Sequence, residues 1–341
     1  MTQMSVLDVQ ETPAGVPFVR SPDAGFEGLA DYPWPPNYLD FEGLRLHYLD
    51  VGPRDAPVAL LTHGMPTWSY LNRYIVTRLA AAGWRCIAPD HIGFGRSDKV
   101  IDDGWYSIAG HTRALGQLIA ELDLRDITLF AQDWGGPTSL AHAAEHPERF
   151  TRLVVMNTWL HHEGYAYEPA LRRWNAQWKP DDFFGLNVPD RLTLGWLMVS
   201  ATGRMPRANL LAIVGSGICP VLDAEADAVR RAYDAPHEGL GHAGHAGPRR
   251  FPLSLPFDNP EGGNAEAQAR HFAALDRWTR PIHFIWGGAD DVFTEAWGRA
   301  LAARFPQATF DLLPDAGHFL QDTHGDQVAE IFLRRAAQTP R

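Results

Sequence analysis

Residues 127–146 read ITLFAQDWGGPTSLAHAAEH. Ile127–Ala131 is a short, mostly apolar run of the kind that forms a buried strand, and Gly135–His146 reads as a helix. Between them lies Ala131-Gln132-Asp133-Trp134-Gly135-Gly136, which is small–x–acid–x–small at a strand-to-helix turn. Small residues let such a turn pinch, so the central side chain stands clear at the edge of the sheet; this is the nucleophile elbow. Here that side chain is a carboxylate. An aspartate ahead of a helix can also serve as its N-cap, and this stretch alone leaves both readings open.

Working outward, Leu44–Leu49 largely alternates apolar and polar positions and predicts an antiparallel strand. Val58–Leu61, Arg85–Pro89 and Leu153–Met156 are short apolar runs. They alternate with helical patterns over Leu71–Ala82 and Ser107–Leu122. The rhythm returns late, with strands predicted at His283–Trp286 and Thr309–Leu313 and helices at Glu295–Phe305 and Gln327–Ala336. Wholly apolar strands alternating with helices predict a mostly parallel sheet covered on both faces. From Trp159 to Pro256 the alternation stops, and helical patches (Ala170–Trp178, Leu192–Ala201, Ala224–Tyr233) are separated by Pro and Gly. This predicts one α/β core, residues 1–158 and 257–341, interrupted by a helical cap at 159–256. The cap would lie over the carboxyl ends of the strands, where open α/β sheets bind ligands.

Two further stretches decide the reading of Asp133. Trp286-Gly287-Gly288-Ala289-Asp290 places an acid just past a late strand, and Asp315-Ala316-Gly317-His318-Phe319 places a histidine just past the last one. Nucleophile, acid, histidine is the chain order of α/β-hydrolases. Asp290 is preferred to its neighbour Asp291 because it stands three residues after Gly287. Thr62-His63-Gly64-Met65 follows an early strand. A turn there supplies one backbone N–H of an oxyanion hole, from Met65, and the residue after the nucleophile, Trp134, supplies the other. His63 belongs to that turn and takes a structural role.

Composition narrows the alternatives. The chain has 341 residues and a formal charge of −11, which disfavours nucleic acid and anionic membranes as partners. Its two cysteines, Cys86 and Cys219, form no CxxC or CxxH pattern, and each reads as a buried small hydrophobe. No phosphate-loop, HExxH or GxSxG motif occurs. His242 and His245 sit in a Gly-rich stretch, 239–247, that reads as a mobile loop rather than a metal site. Gly93, Gly95 and Asp98 read as a turn beneath the site. The first eleven residues hold no Lys or Arg and no apolar run, which predicts no export signal and a cytoplasmic location. Tryptophan is frequent, at 12 residues.

Together HGMPTWSYL (63–71), APDHIGFGRSDK (88–99), AQDWGGP (131–137), VVMNTW (154–159), WGGADD (286–291) and DAGHFLQD (315–322) resemble the haloalkane dehalogenase family of α/β-hydrolases. YPWPPNYLD (32–40) and YDAP (233–236) resemble its subgroup with two tryptophan halide donors. The resemblance implies Asp133 as nucleophile, His318 as base, Asp290 as its partner and Trp134 as one halide donor. Part of the family has an Asn donor where Met65 stands, so the second donor is expected from the cap. Trp174, 17 residues after Asn157, is favoured over Trp178, while Trp159 and Trp196 read as packing residues. Arg172-Arg173 departs from the family pattern. The implied partners are a small haloalkane and a halide ion, with no cofactor or metal, in a monomer or weak oligomer. The rivals are an epoxide hydrolase, drawing acidic donors from Tyr165, Tyr167 or Tyr233, and a non-catalytic binding protein that kept the fold. A haloacid-type enzyme would want an arginine where Trp134 stands.

Overall fold

A computed structural model of the chain describes residues 7–179, 192–216 and 218–339. Parts of the expected terminal core segments and cap, residues 1–6, 180–191, 217, 340 and 341, lie outside the described residues.

The strands in chain order are β1 (Gln10–Glu11), β2 (Pro17–Val19), β3 (Asn37–Phe41), β4 (Leu44–Val51), β5 (Val58–Leu61), β6 (Arg85–Pro89), β7 (Lys99–Val100), β8 (Ile127–Asp133), β9 (Phe150–Thr158), β10 (Ile282–Gly287) and β11 (Thr309–Leu313). Eight of them form the main sheet, in the order β11-β10-β9-β8-β5-β6-β4-β3. All neighbouring pairs run parallel except β4, which is antiparallel to both β3 and β6. A small sheet, β1-β2-β7, lies apart. Every residue of β5, β6, β8 and β10 is buried, as expected of central strands covered on both faces.

Helices α1 (Arg73–Ala81), α2 (Ile108–Glu121), α3 (Gly135–Glu145), α9 (Ala265–Leu275), α10 (Glu295–Ala302) and α12 (Gly325–Gln338), with the short α11 (Leu320–Thr323), belong to the alternating part of the chain. Between β9 and α9 the chain forms α4 (Pro169–Trp178), α5 (Leu194–Ala201), α6 (Arg207–Ser216), α7 (Ala224–Asp234) and α8 (Gly241–Arg250). Side-chain caps start several helices: Ser107 accepts from Gly110 N at 3.1 Å and Asp223 from Ala226 N at 2.8 Å. Helix α10 stops short of the expected Phe305, because Pro306 disfavours helical backbone in the residue before it.

The chain leaves β5 for β6 on one side and returns to β8 on the other, so the sheet reverses its strand order at β5. Crevices at such reversals are where open sheets bind ligands. The turn after β5 and the elbow after β8 both lie there. Cap helices are tied down beside them. Trp68 Nε1 donates to Ala232 O at 3.1 Å, and Tyr233 OH donates to Asp322 Oδ2 at 2.7 Å. Asp322 also accepts from the buried Arg73 at 2.8 Å and pairs with Arg204.

Two expectations are corrected. The Gly-rich stretch at 239–247 is largely helix α8, not a mobile loop. Its glycines serve close packing: a Cβ on Gly247 would reach Gly93 Cα at 2.9 Å, so the helix can lie directly on the turn at Gly93. His237 and His245 stack there with ring centroids 4.9 Å apart. Cys219 is exposed, since it follows the end of α6 instead of lying on a packed face, whereas Cys86 is buried in β6.

Candidate active site

Asp133 is the last residue of β8 and has φ of 50°. Left-handed backbone is unfavourable for a side chain with a Cβ and marks a strained turn. The local sequence makes the turn possible. A Cβ on Gly135 would run into Thr62, one on Gly136 into Thr158 and Trp159, and one on Gly64 into the Asp133 carboxylate itself. The turn after β5 can thus press its backbone against the acid: Met65 N donates to Asp133 Oδ1 at 2.8 Å. This leaves Oδ2 facing the imidazole, 3.4 Å from His318 Nε2.

The other ring nitrogen, His318 Nδ1, lies 2.8 Å from Asp290 Oδ2. Asp290 is buried. It also accepts from Asn157 Nδ2 at 2.8 Å and from Val292 N at 2.7 Å. Burial disfavours the His318 imidazolium, but the Asp290 and Asp133 carboxylates outweigh it and push its pKa up to about 10. Asp291 is exposed and makes no contact with His318 of the kind Asp290 makes. His63 uses both ring nitrogens for structure. Nδ1 bonds Gly64 O at 2.8 Å, and Nε2 accepts from His91 N at 3.1 Å.

Two residues of the site were not singled out from the sequence. Asn157, with φ of 30°, accepts from Gly287 N at 2.8 Å while donating to Asp290, and so clamps β10's acid from the end of β9. Gln132 Nε2 donates to His318 O at 3.1 Å and lies 3.3 Å from the ring Nε2. The available signal was an amide next to the last residue of each of two strands.

A cavity of about 480 Å³ opens above these groups. Asp133, Trp134, Trp174, Asp290 and His318 line it, with apolar walls from Met65, Leu255 and Phe319. The Trp134 indole is stacked on Phe251 (centroids 5.0 Å, planes 10° apart) and meets Trp159 edge-on at 4.6 Å. Trp178 is 2% exposed, packs edge-to-face on Trp174 at 5.4 Å, and is absent from the cavity wall. Tyr165, Tyr167 and Tyr233 do not line it either. Tyr233 is bonded to Asp322, and Tyr167 OH lies 3.0 Å from His161 Nδ1. None of the three tyrosines that an epoxide hydrolase would draw on is therefore placed on the cavity wall.

Comparisons with known proteins bear on the fold and the family. The pattern of the alpha/beta hydrolase fold matches residues 57–325. A haloalkane dehalogenase of Psychrobacter cryohalolentis is 34% identical over 331 residues, covering 95% of this chain and 99% of that protein. One from Mycolicibacterium paratuberculosis is 37% identical over 325 residues, covering 92% and 97%. Among solved structures, the tetrameric haloalkane dehalogenase of Paraglaciecola agarilytica superposes with a TM-score of 0.77 at 32% identity, covering 92% of this chain and 97% of that one. On sequence, fold and likeness along nearly its whole length, the chain belongs to the haloalkane dehalogenase family of α/β-hydrolases.

Proposed function

We propose that the protein hydrolyses the carbon–halogen bond of small haloalkanes to alcohol, halide and a proton through an alkyl ester on Asp133. The observation that carries this is the division of labour at the Asp133 carboxylate. Oδ1 is held by the Met65 N–H, and Oδ2 faces the cavity and His318. A saturated carbon bearing halogen is opened by in-line displacement. A serine would leave an ether that water cannot readily cleave, whereas a carboxylate leaves an ester that the same site can hydrolyse.

Oδ2 attacks the carbon, the carbon–halogen bond breaks, and the departing halide accepts from the Trp134 and Trp174 indole N–H groups. Preorganised donors in an apolar cavity stabilise that growing charge strongly. His318 then takes a proton from water, which adds to Cγ of the ester. The oxyanion forms at Oδ1, on the Met65 and Trp134 backbone N–H groups. The tetrahedral carbon collapses, the alcohol leaves with a proton, and Asp133 is regenerated. Asp290 holds the imidazole in the tautomer with Nδ1 protonated and stabilises the imidazolium. Residues 159–256 act as the cap that carries Trp174 and shapes the cavity. Two free thiols accord with a cytoplasmic setting.

The test is halide release from 1,2-dibromoethane and 1-bromobutane, followed by the accompanying fall in pH, beside turnover of styrene oxide. Halide release is the expected result. Turnover of the epoxide without halide release from any haloalkane contradicts the proposal.

A further inference from the structure

We propose that the mouth of the cavity carries an anion subsite, Arg173 with Arg207, and that the site favours haloalkanes whose far end is a carboxylate. This rests on Asp133 being the nucleophile. It adds where the rest of the substrate goes.

Both arginines line the same cavity as Asp133. Asp133 is 7% exposed while both arginines are exposed, so of these lining groups the reacting carboxylate is the enclosed one and the arginines border solvent. On α4, residues 170, 173, 174 and 177 fall on one face, so the turn that aims Trp174 inward also brings Arg173 and Gln177 to the wall. Arg207 opens α6 on the neighbouring side. Nearby cap cations are engaged: Arg172 lies over the Phe257 ring at 4.6 Å, Lys179 pairs with Asp258 at 2.7 Å, and Arg204 pairs with Asp322. Among the described residues, Arg173 and Arg207 have no ion-pair partner.

The negative groups on the wall are on the core side. Asp133 and Asp290 face His318, and Asp291 stands exposed beside Asp290. Positive charge on the cap side of the mouth is the reverse of the molecule's net −11, which by itself repels anions. A guanidinium binds a carboxylate through paired N–H donors, and Gln177 and Ser200 add neutral donors on the same cap wall. An enclosed carboxylate and solvent-bordering arginines also set the substrate's shape. An α-haloacid would put its carboxylate one bond from the reacting carbon, among Met65, Trp134 and Phe319, away from the arginines. An ω-halocarboxylate places its carbon–halogen bond at Asp133 and its charge at the mouth.

The experiment compares kcat/KM for ω-bromocarboxylates from 4-bromobutanoate to 10-bromodecanoate with the matching ω-bromoalcohols. It is run on the wild-type enzyme and on the double variant Arg173→Gln, Arg207→Gln. At one chain length or more the carboxylate is expected to exceed the alcohol by about tenfold, roughly what one charge-assisted hydrogen bond contributes. That ratio should fall towards one in the double variant and shrink with added salt. A ratio of one or less at every length overturns the proposal, as does a ratio the double variant leaves unchanged. So does a variant effect confined to inhibition by chloride or bromide, which would assign the arginines to the leaving halide. Failure of the alcohols themselves to release bromide would instead strike the nucleophile assignment, and the two failures are thereby distinguished.

Discussion

Replacing Asp133 by asparagine removes one negative charge 3.4 Å from His318 Nε2 and leaves Asp290 in place at Nδ1. At an effective dielectric of about 20, unit charges that far apart interact by about 5 kcal/mol. At about 1.4 kcal/mol per pH unit, this should bring the His318 midpoint from about 10 to ~6–7 in Asp133→Asn. The change matters because alkylation of Asp133 cancels the same charge. His318 would then be an imidazolium before the ester forms and a free base once it has formed, so the proton acceptor arises only when there is an ester to hydrolyse. NMR titration of isotopically labelled histidines, with a His318 variant to assign the signal, measures both midpoints. A wild-type midpoint near 6.5, or an Asp133→Asn midpoint still above about 9, would refute the reasoning.

Further expectations concern the surrounding shell. Trp174→Phe removes an indole N–H from the cavity and should weaken chloride and bromide binding by about 10- to 100-fold, read from tryptophan fluorescence quenching; Trp178→Phe should not, and the reverse pattern would reassign the donor. Asn157→Ala leaves Asp290 Oδ2 and Gly287 N each short of a partner. It should cost about 1–3 kcal/mol of stability in urea titration and lower kcat more than it raises KM; unchanged kcat would contradict the positioning role. Burial lowers His111 to about 3 and His142 to about 4. Because the unfolded chain takes up these protons near 6.5, their contribution holds at neutral pH and is lost as pH falls below that. At pH 4.5 this amounts to roughly 2–3 kcal/mol per histidine. A urea midpoint unchanged between pH 7.5 and 4.5 would contradict this.

What the sequence displayed and what it hid have physical causes. Asp133, Asp290 and His318 stood out because each is a polar group just beyond an apolar run, and parallel strands place such ends on one edge of the sheet. The contributions of Asn157 and Gln132 depend on which strand lies beside which. β9 neighbours β10, with Leu153 opposite Ile282, and spacing along the chain cannot show that pairing. Helix α8 was hidden because glycine lowers helix propensity, while its packing on Gly93 depends on just that absence of side chains. The choice between Trp174 and Trp178 turns on which face of α4 meets the cavity; both belong to an aromatic, apolar pattern, and only the tertiary packing separates them.

The central claim is that Asp133 carries the substrate. His318→Phe keeps an apolar ring beside Asp133 but removes the base, so a haloalkane should alkylate the enzyme and stop there. Intact-protein and peptide mass spectrometry after incubation with 1-bromobutane should find one stable butyl adduct, on the peptide containing Asp133. A folded His318→Phe protein that gains no adduct while the wild type releases bromide, or an adduct on any other residue, would contradict the account.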